Sequence, residues 1–461
     1  MTTAPIPPPS FETKSFESFL DEALAKLNIT DPIDTDATEG SPEWGRNRPH
    51  LLIMNESGLP VHSLHGDEHS LGSFFGVVSA TIGLISSIGD SLSSTNAALS
   101  SFNPNLIEAG TTNVAFFYKQ SLIFALVSSL PPPILHHQLS LVHGLITSLL
   151  TGIRVSVEQK KLCNYLSSSK NLFENLLNML SSSLTPYFGA VESPLFTPSL
   201  ASQLTSAMSS TPPPSILFSM VCTLDLVVSL ACAKNVGEIH EFDLTLLLNL
   251  IQCQTTIHKQ GVSNLLPFCF TFTSSISKSW VYLNIECVSE EDKLFIVVGT
   301  SKAKDSELLF NYSRHLKSEI SSILPALSKS LIKSAIVNWG VLGLRHFVCY
   351  FPKSRQFLSG KFDPPLHFKS IHHQIIRKYL EIHGDLCFSH DNQIDFSRLK
   401  NGKVVVQKGS PLGTFAAFGT SDYVLYTLFD CFIDSEVIIE GCDQLIHQLK
   451  ANVAELISVQ W

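Results

Sequence analysis

Three histidines and two carboxylates near the start of the chain are the residues whose types could hold a metal ion. They are His62, His65, Asp67, Glu68 and His69. Structural zinc sites close a tetrahedral set of four such ligands, often with cysteine. This stretch is predicted to be a loop, its spacing matches no such set, and no cysteine accompanies it. We therefore expect no metal. Instead, Gly66-Asp67-Glu68 is expected to form a turn whose carboxylates favour the N-terminus of the helix that follows.

A serine in a lipase-like tetrapeptide is the second candidate for chemistry. Residues 89–92 read Gly-Asp-Ser-Leu, which would make Ser91 the nucleophile. A nucleophilic serine needs a histidine base that is oriented by a carboxylate, and no distant Asp-x-x-His partner is evident. Phosphate-binding loops, dinucleotide fingerprints and nucleophile elbows are also missing from the sequence. The sequence thus predicts no catalytic residue, no cofactor and no covalent chemistry.

The most informative stretch is Ser70–Gly89, which contains no charged residue. At 100° per residue, large apolar side chains occupy about half of the helical wheel. They are Leu71, Phe74, Phe75, Val77, Val78, Ile82, Leu84, Ile85 and Ile88. The opposite arc, where a surface helix would carry Lys or Glu, holds Gly72, Gly76, Ser79, Gly83, Ser86 and Ser87. We expect one side to face the domain's own core and the other to face a second helix or subunit.

A membrane span is the alternative interpretation of this stretch. Its length suffices to cross a bilayer, and Gly72-x-x-x-Gly76 fits a membrane dimer motif. However, half of its positions are Gly, Ser or Thr, and neither His69 nor Asp90 supplies a basic flank. The composition therefore favours a protein–protein contact.

Composition limits the class of protein further. A length of 461 residues suggests about three domains. Charged residues make up only 15% of the chain, below the usual ~25%, which suits a subunit of an assembly. The net charge of −9 argues against nucleic acid as a partner. Ten scattered cysteines without a Cys-x-x-Cys motif, and the lack of a secretory signal, predict free thiols in the cytoplasm.

Hydrophobic patterns along the chain predict a tail and three similar units. Residues 1–46 are expected to be disordered, except for an amphipathic helix near 11–28 that either caps the first domain or acts as a docking or self-regulating segment. The order strand, strand, helix, three strands then appears three times. The first copy is followed by helical patterns at about 134–152 and 158–181, and the third by a closing helix over 436–459. The prediction is an α/β protein of the α+β type.

The predicted boundaries follow from breaks in these patterns. We expect domains at 47–185, 215–334 and 335–461, with a Ser/Pro-rich linker at 186–214. Each domain is predicted to be a five-stranded antiparallel sheet with helices packed on its faces.

Several stretches of the chain resemble the Mon1 family of vacuolar fusion proteins. They are LLIMNESGLPVHSLHGDE, GVVSATIGLISSIGD, NLIEAGTTNVAFFYKQSLIFALVSS, LVHGLITSLLT, EFDLTLLLNLIQ, LLPFCF, LRHFVCYFPKSRQFLSGKF, SPLGTFAAFG and DSEVIIEGCDQLIHQLK. The resemblance extends over nearly the whole chain, from about residue 48 to 461. Each motif is modest alone, but their order and spacing are specific.

This resemblance implies three consecutive longin domains and a role as a subunit of a heterodimeric guanine nucleotide exchange factor. With a Ccz-like tri-longin subunit, such a protein opens switch I of a late-endosomal or vacuolar Rab GTPase. It thereby supports endosome maturation, vacuole and lysosome fusion, and autophagy. It breaks no covalent bond, requires no cofactor, and acts peripherally on the late-endosome or vacuole membrane. The alternative is a non-catalytic tri-longin scaffold or adaptor of a trafficking complex.

The resemblance also implies site residues. The partner-subunit interface would include Gly72, Gly76, Ser79 and Gly83, and the Rab contact would include Gly66, Asp67 and Glu68. A loosely basic C-terminal region, with Arg345, Lys353 and Arg355, is either a solvated face or a contact for anionic lipid. An early-endosomal Rab and an anionic phosphoinositide membrane are further candidate partners.

Overall fold

A computed structural model describes most of the chain from residue 49 onward. The described residues are 49–65, 72–93, 105–109, 112–119, 121–128, 130–149, 159–182, 184, 187, 191–192, 194, 196, 198–210, 212–276, 279–333, 340–352, 356–360, 362, 366, 369–387, 404–420, 422–452 and 457–460. The predicted tail helix near 11–28 lies outside them.

The first compact unit, which ends at Pro132, contains one sheet. Its elements are β1 (His50–Asn55), β2 (Pro60–Ser63), α1 (Gly72–Ser93), β3 (Leu106–Ala109), β4 (Thr112–Lys119) and β5 (Leu122–Ser128). The strand order is β2-β1-β5-β4-β3, and every pairing is antiparallel. The predicted order of strands and helix is confirmed here.

One face of α1 packs onto this first sheet. Phe75, Val78 and Ile82 are buried and join strand residues such as Leu52 and Phe116 in one core. Their spacing of three and four residues puts them on a single helical face. The position of α1 on the sheet is therefore set by ordinary hydrophobic burial.

The second compact unit begins at Pro133 and contains two further sheets. Its first helix, α2 (Pro132–Leu149), begins one residue before this boundary. The next elements are α3 (Gln159–Ser168), α4 (Lys170–Ser182), β6 (Val191–Glu192) and α5 (Pro198–Met208). The pattern expected as one helix over 158–181 is thus divided at Ser169.

The second sheet repeats the topology of the first. Its elements are β7 (Ile216–Cys222), β8 (Val227–Cys232), α6 (Glu241–Cys253), β9 (Ser263–Cys269), β10 (Trp280–Ser289) and β11 (Leu294–Thr300), followed by α7 (Ser306–Lys333). The antiparallel order is β8-β7-β11-β10-β9. Strands β7, β8 and β11 are buried at every position, as expected of strands covered on both faces. Helices α5 and α7 supply the cover on one face.

The third sheet has the same order again. Its elements are β12 (Leu344–Phe351), β13 (Gln356–Ser359), α8 (Lys369–Cys387), β14 (Val404–Ser410), β15 (Gly413–Gly419) and β16 (Val424–Phe429), followed by α9 (Ser435–Asn452). The antiparallel order is β13-β12-β16-β15-β14. Helix α9 packs onto one face through residues such as Ile438 and Leu445.

The second and third sheets each gain a short sixth strand in parallel. Strand β6 pairs with β13 of the third sheet, although it lies in the segment 186–214 that was expected as a linker. Strand β17 (Ile457–Gln460) pairs with β8 of the second sheet, although it follows the third sheet in sequence. The closing helix, expected to reach Val459, therefore ends at Asn452.

The segment 186–214 also contains a buried tyrosine that joins three helices. The side-chain amide of Gln138 in α2 donates to the Tyr187 hydroxyl at 2.6 Å, and this hydroxyl donates to the Leu180 carbonyl of α4 at 2.8 Å. The Tyr187 carbonyl accepts from Nε2 of His383 in α8 at 3.1 Å. Together with β6 and α5, this residue makes the segment part of the folded cores.

A buried carboxylate holds a loop at the N-terminal end of α6. Asp243 accepts from the backbone amides of Thr271 at 2.9 Å, Phe272 at 3.0 Å and Thr273 at 2.6 Å, and from the Thr273 hydroxyl at 2.7 Å. The Thr271 hydroxyl donates to the Gly144 carbonyl of α2 at 3.4 Å. Burial raises the pKa of this carboxyl, and the four hydrogen bonds oppose that shift. The loop thereby ties α6 to α2.

Membrane crossing was the alternative for the uncharged stretch. In the part of the chain that the structure describes, no helix combines the length and the hydropathy needed to cross a bilayer.

We expect Tyr187→Phe to lower the free energy of unfolding by about 1–3 kcal/mol, because it leaves the buried Gln138 and Leu180 groups without their partner. Urea unfolding measures this. The matched control is Tyr165→Phe, since Tyr165 is 51% exposed on α3 and should change stability by less than ~0.5 kcal/mol. Equal effects of the two variants would contradict a stabilising role for the hydrogen bonds of the Tyr187 hydroxyl.

Two buried histidines predict acid sensitivity. Burial lowers the pKa of His346 and of His383 to about 3. An unfolded histidine takes up its proton near pH 6.5, so stability contributed by these neutral rings is lost as the pH falls from about 6.5 toward 3. We expect His383→Gln to reduce the slope of unfolding free energy against pH, between pH 6.5 and 5, by about 1 kcal/mol per pH unit on average. An unchanged slope would contradict a neutral His383.

Candidate functional site

The outer face of α1 is exposed and carries no charge. Its exposed residues are Gly76, Ala80, Gly83, Leu84 and Ser87. These positions recur at the spacing of one helical face, opposite the buried Phe75, Val78 and Ile82. A helix in water normally carries charged side chains on such a face. We call these five residues the small-residue face.

The glycines of α1 are not required by packing inside the described chain. A Cβ added at Gly72, Gly76 or Gly83 would meet nothing within 4 Å. Glycine inside a helix costs roughly 0.5–1 kcal/mol relative to alanine. No packing contact within the described residues therefore explains why glycine stands at these three positions. They leave a shallow surface on which another backbone can approach closely.

Ser79, expected on the partner-facing arc, lies at the border of this face. It is half-buried against the turn between β1 and β2, where Gly58 has a φ of +76°. A Cβ at Gly58 would lie 2.6 Å from the Ser79 Cβ, so both the positive φ and the close approach require glycine. The adjacent Leu59 is 52% exposed at the tip of the same turn.

Leu84 lies where the sequence pattern did not put it. It was assigned to the apolar arc, but it is 61% exposed on the small-residue face. Ser87, one turn later, donates its hydroxyl to the Leu84 carbonyl at 2.8 Å. Leu84 is thus a large apolar side chain that the described fold leaves in water.

Sequence reasoning therefore found part of this face and missed the rest. Gly76 and Gly83 are exposed and Gly72 is half-exposed, as the glycine stripe predicted. Ala80 and Leu84 were missed, although both lie within four residues of Gly76 or Gly83. On a helical wheel whose inner side is centred on the buried Phe75 and Ile82, Ala80 and Leu84 fall on the side opposite the core.

The other candidate residues are only partly described. Gly66, Asp67, Glu68, Lys353 and Arg355 lie outside the described residues. Arg345, on β12, is placed 3.4 Å from Asp430, measured from Nε to Oδ1, and its Nη1 donates to the Leu412 carbonyl at 3.5 Å. Its guanidinium is thus engaged within the third domain, which argues against its use as a lipid contact.

Two histidines of the cluster near the start of the chain, His62 and His65, are described, and neither is exposed. His62 is buried, and the ring of His65 lies 5.3 Å from that of His50, which is buried as well. The Ser63 hydroxyl donates to the His65 carbonyl at 2.5 Å. His50 was missed, because it is distant in sequence and adjacent only across the sheet. Among the described residues, no group of His, Cys, Asp and Glu could hold a metal ion.

Comparison with known proteins relates this architecture to named relatives. A family model described as the first longin domain of FUZ, MON1 and HPS1 matches residues 49–182. A vacuolar fusion protein MON1 homolog of Arabidopsis thaliana is 21% identical over 456 residues, which cover 90% of this chain and 70% of the relative. MON1 homolog A of Gallus gallus is 23% identical over 353 residues, 74% of this chain and 61% of that protein. MON1 homolog A of Homo sapiens is 23% identical over 376 residues, 77% of this chain and 54% of that protein.

The chain is thus similar to Mon1 proteins over most of its length. The longin match and the three sheets of identical strand order confirm the expected α+β fold of three longin-like domains. The chain spans little more than half to about seven tenths of these Mon1 relatives. The matched longin region contains the whole small-residue face.

The open space above α1 predicts opposite effects for two glycine substitutions. Gly83→Ala should raise the free energy of unfolding by about 0.5–1 kcal/mol, because its Cβ meets nothing and the helix gains propensity. Gly58→Ala should lower it by about 1–3 kcal/mol, because a side chain is strained at this φ and meets Ser79. Urea unfolding of both variants measures this. A destabilised Gly83→Ala would mean that the chain's own fold covers this glycine.

Proposed function

We propose that this chain is one subunit of a heterodimeric guanine nucleotide exchange factor for a late-endosomal or vacuolar Rab GTPase. A Ccz-like tri-longin protein would be the other subunit. The relatives are named vacuolar fusion proteins, which supports a role in membrane traffic at that organelle. The proposed sphere of action is endosome maturation, vacuole or lysosome fusion, and autophagy, with the complex peripheral on the membrane.

The observation that carries the proposal is the small-residue face of α1. It is exposed, uncharged and free of side chains at two of its five positions. A second helix can approach such a face closely and bury Leu84, which gains hydrophobic free energy without removing any charge from water. A charged face would have to be desolvated at considerable cost. The face is therefore suited to pairing with another longin domain.

Exchange by such a complex would be catalysis by differential binding. A protein that binds the nucleotide-poor Rab more tightly than the GDP-bound Rab lowers the barrier to GDP release. The paired first domains would hold switch I away from the nucleotide, with Gly66, Asp67 and Glu68 before α1 as the proposed Rab contact. Mg²⁺ and nucleotide belong to the Rab, so this chain needs no cofactor of its own.

Release of fluorescent GDP from the cell's own late-endosomal Rab tests the activity. We expect acceleration only when this chain and its Ccz-like partner are both present, because the Rab contact is proposed to span two longin domains. If GDP release is accelerated neither by this chain alone nor by the pair, the non-catalytic scaffold becomes the favoured function. Release by this chain alone would contradict the pairing argument.

Substitution on α1 tests the surface itself. Gly83→Leu, in open space, should keep the domain folded and reduce co-purification with the Ccz-like subunit at least tenfold, with an equal loss of exchange. The matched control is Ser322→Leu, which adds leucine to an exposed position on α7. Circular dichroism checks folding of both variants. Undiminished pairing of Gly83→Leu would count against this surface.

A further inference from the structure

One aromatic residue of the third domain is held in water in a strained conformation. Phe432, in the loop between β16 and α9, is fully exposed at 102% of its reference area and has a φ of +69°. This left-handed region is an outlier for a bulky residue, and such strain collects at functional positions. A phenylalanine so placed gains nothing from the fold of its own domain.

A second large apolar residue projects from the neighbouring loop. Leu342 is 75% exposed in the turn before β12. The two loops are joined, because the Asp430 amide donates to the Gly343 carbonyl at 2.9 Å. Ile433 packs onto Gly343, whose φ of +69° and missing Cβ leave the room for it. Phe432 and Leu342 therefore belong to one fixed end of the third sheet.

Contacts from the turn between β14 and β15 stiffen this end. Arg345 bridges Asp430 at 3.4 Å and the Leu412 carbonyl at 3.5 Å. The Cys431 thiol lies 3.9 Å from the Pro411 carbonyl. A preorganised apolar projection loses little conformational entropy when it binds, which favours its use as an anchor.

The exposed charges of residues 430–440 are all acidic, and one of them, Asp430, is paired with Arg345. Residues 430–440 contain Asp430, Asp434, Glu436 and Glu440, all exposed, and no Lys or Arg. Glu436 also lies in the first turn of α9, where a carboxylate favours the helix dipole. Because Asp430 is paired with Arg345, the negative charge of this surface comes mainly from Asp434, Glu436 and Glu440. The negative field would repel an anionic membrane and attract a surface that carries Lys and Arg.

We propose that Phe432 and Leu342 form a docking knob that enters an apolar pocket, edged by Lys or Arg, on another protein. The aromatic ring fills the pocket, and the surrounding carboxylates pair with the basic edge and set the orientation. This contact uses residues of the third domain only, so it does not depend on the exchange proposal.

Photo-crosslinking in cells tests the knob. The full chain carries p-benzoylphenylalanine in place of Phe432, and the cross-linked peptide is identified by mass spectrometry. We expect one protein, joined at an apolar peptide with Lys or Arg nearby. The yield should fall at least fivefold when Asp434→Lys and Glu436→Lys are added. It should recover when the identified basic residues of the partner are changed to Glu.

The controls separate binding from folding. The same photoreactive residue at Tyr165, an exposed aromatic of α3, should give none of this product. Phe432→Asn, which tolerates a positive φ, should lose the identified partner without lowering the thermal midpoint. The proposal is overturned by cross-links to lipid, to a second copy or only within the chain. It is equally overturned by a yield no higher than at position 165, or by a product insensitive to the charge reversals.

Discussion

Antiparallel strands that are buried on both faces constrain this structure more than any other feature. In the second sheet, β7, β8 and β11 expose none of their residues, so each of their faces needs a cover. Helices that lie outside the repeated order of strand, strand, helix and three strands supply this cover. Helix α5, from a Ser- and Pro-rich segment, packs into the same core as α7. Tyr187 and Asp243 then fix the helices and loops around these sheets through buried hydrogen bonds.

Helix α1 of the first domain differs from this pattern. Its inner face obeys the same rule, with Phe75 and Ile82 fully or almost fully buried. Its outer face lacks the charges of a surface helix, and no described residue lies within 4 Å of a Cβ built at Gly76 or Gly83. Glycines with open space around them weaken the helix and stabilise nothing in that unit. The proposed pairing with a second longin domain would cover this face.

Much of this organisation could be predicted from the sequence, because hydrophobic period distinguishes strands from amphipathic helices. Two kinds of feature could not. The strands β6 and β17 are short and pair with strands far away in sequence. Local hydrophobic periodicity therefore does not predict them. The exposure of Leu84 depends on how α1 is rotated on its sheet, which the apolar residue count alone does not determine. The glycine stripe stands out in the sequence because glycine is a poor helix former. Ala80 does not stand out, because alanine is common in helices on any face.

The position of β17 has a consequence for the order of assembly. The free edge of β8 is completed only by residues 457–460, which are synthesised after the entire third domain. A chain emerging from the ribosome therefore carries an unpaired strand edge in its middle domain until translation has passed α9, and open edges of this kind invite pairing with other chains. The second sheet can therefore receive its sixth strand only after the third domain has been synthesised.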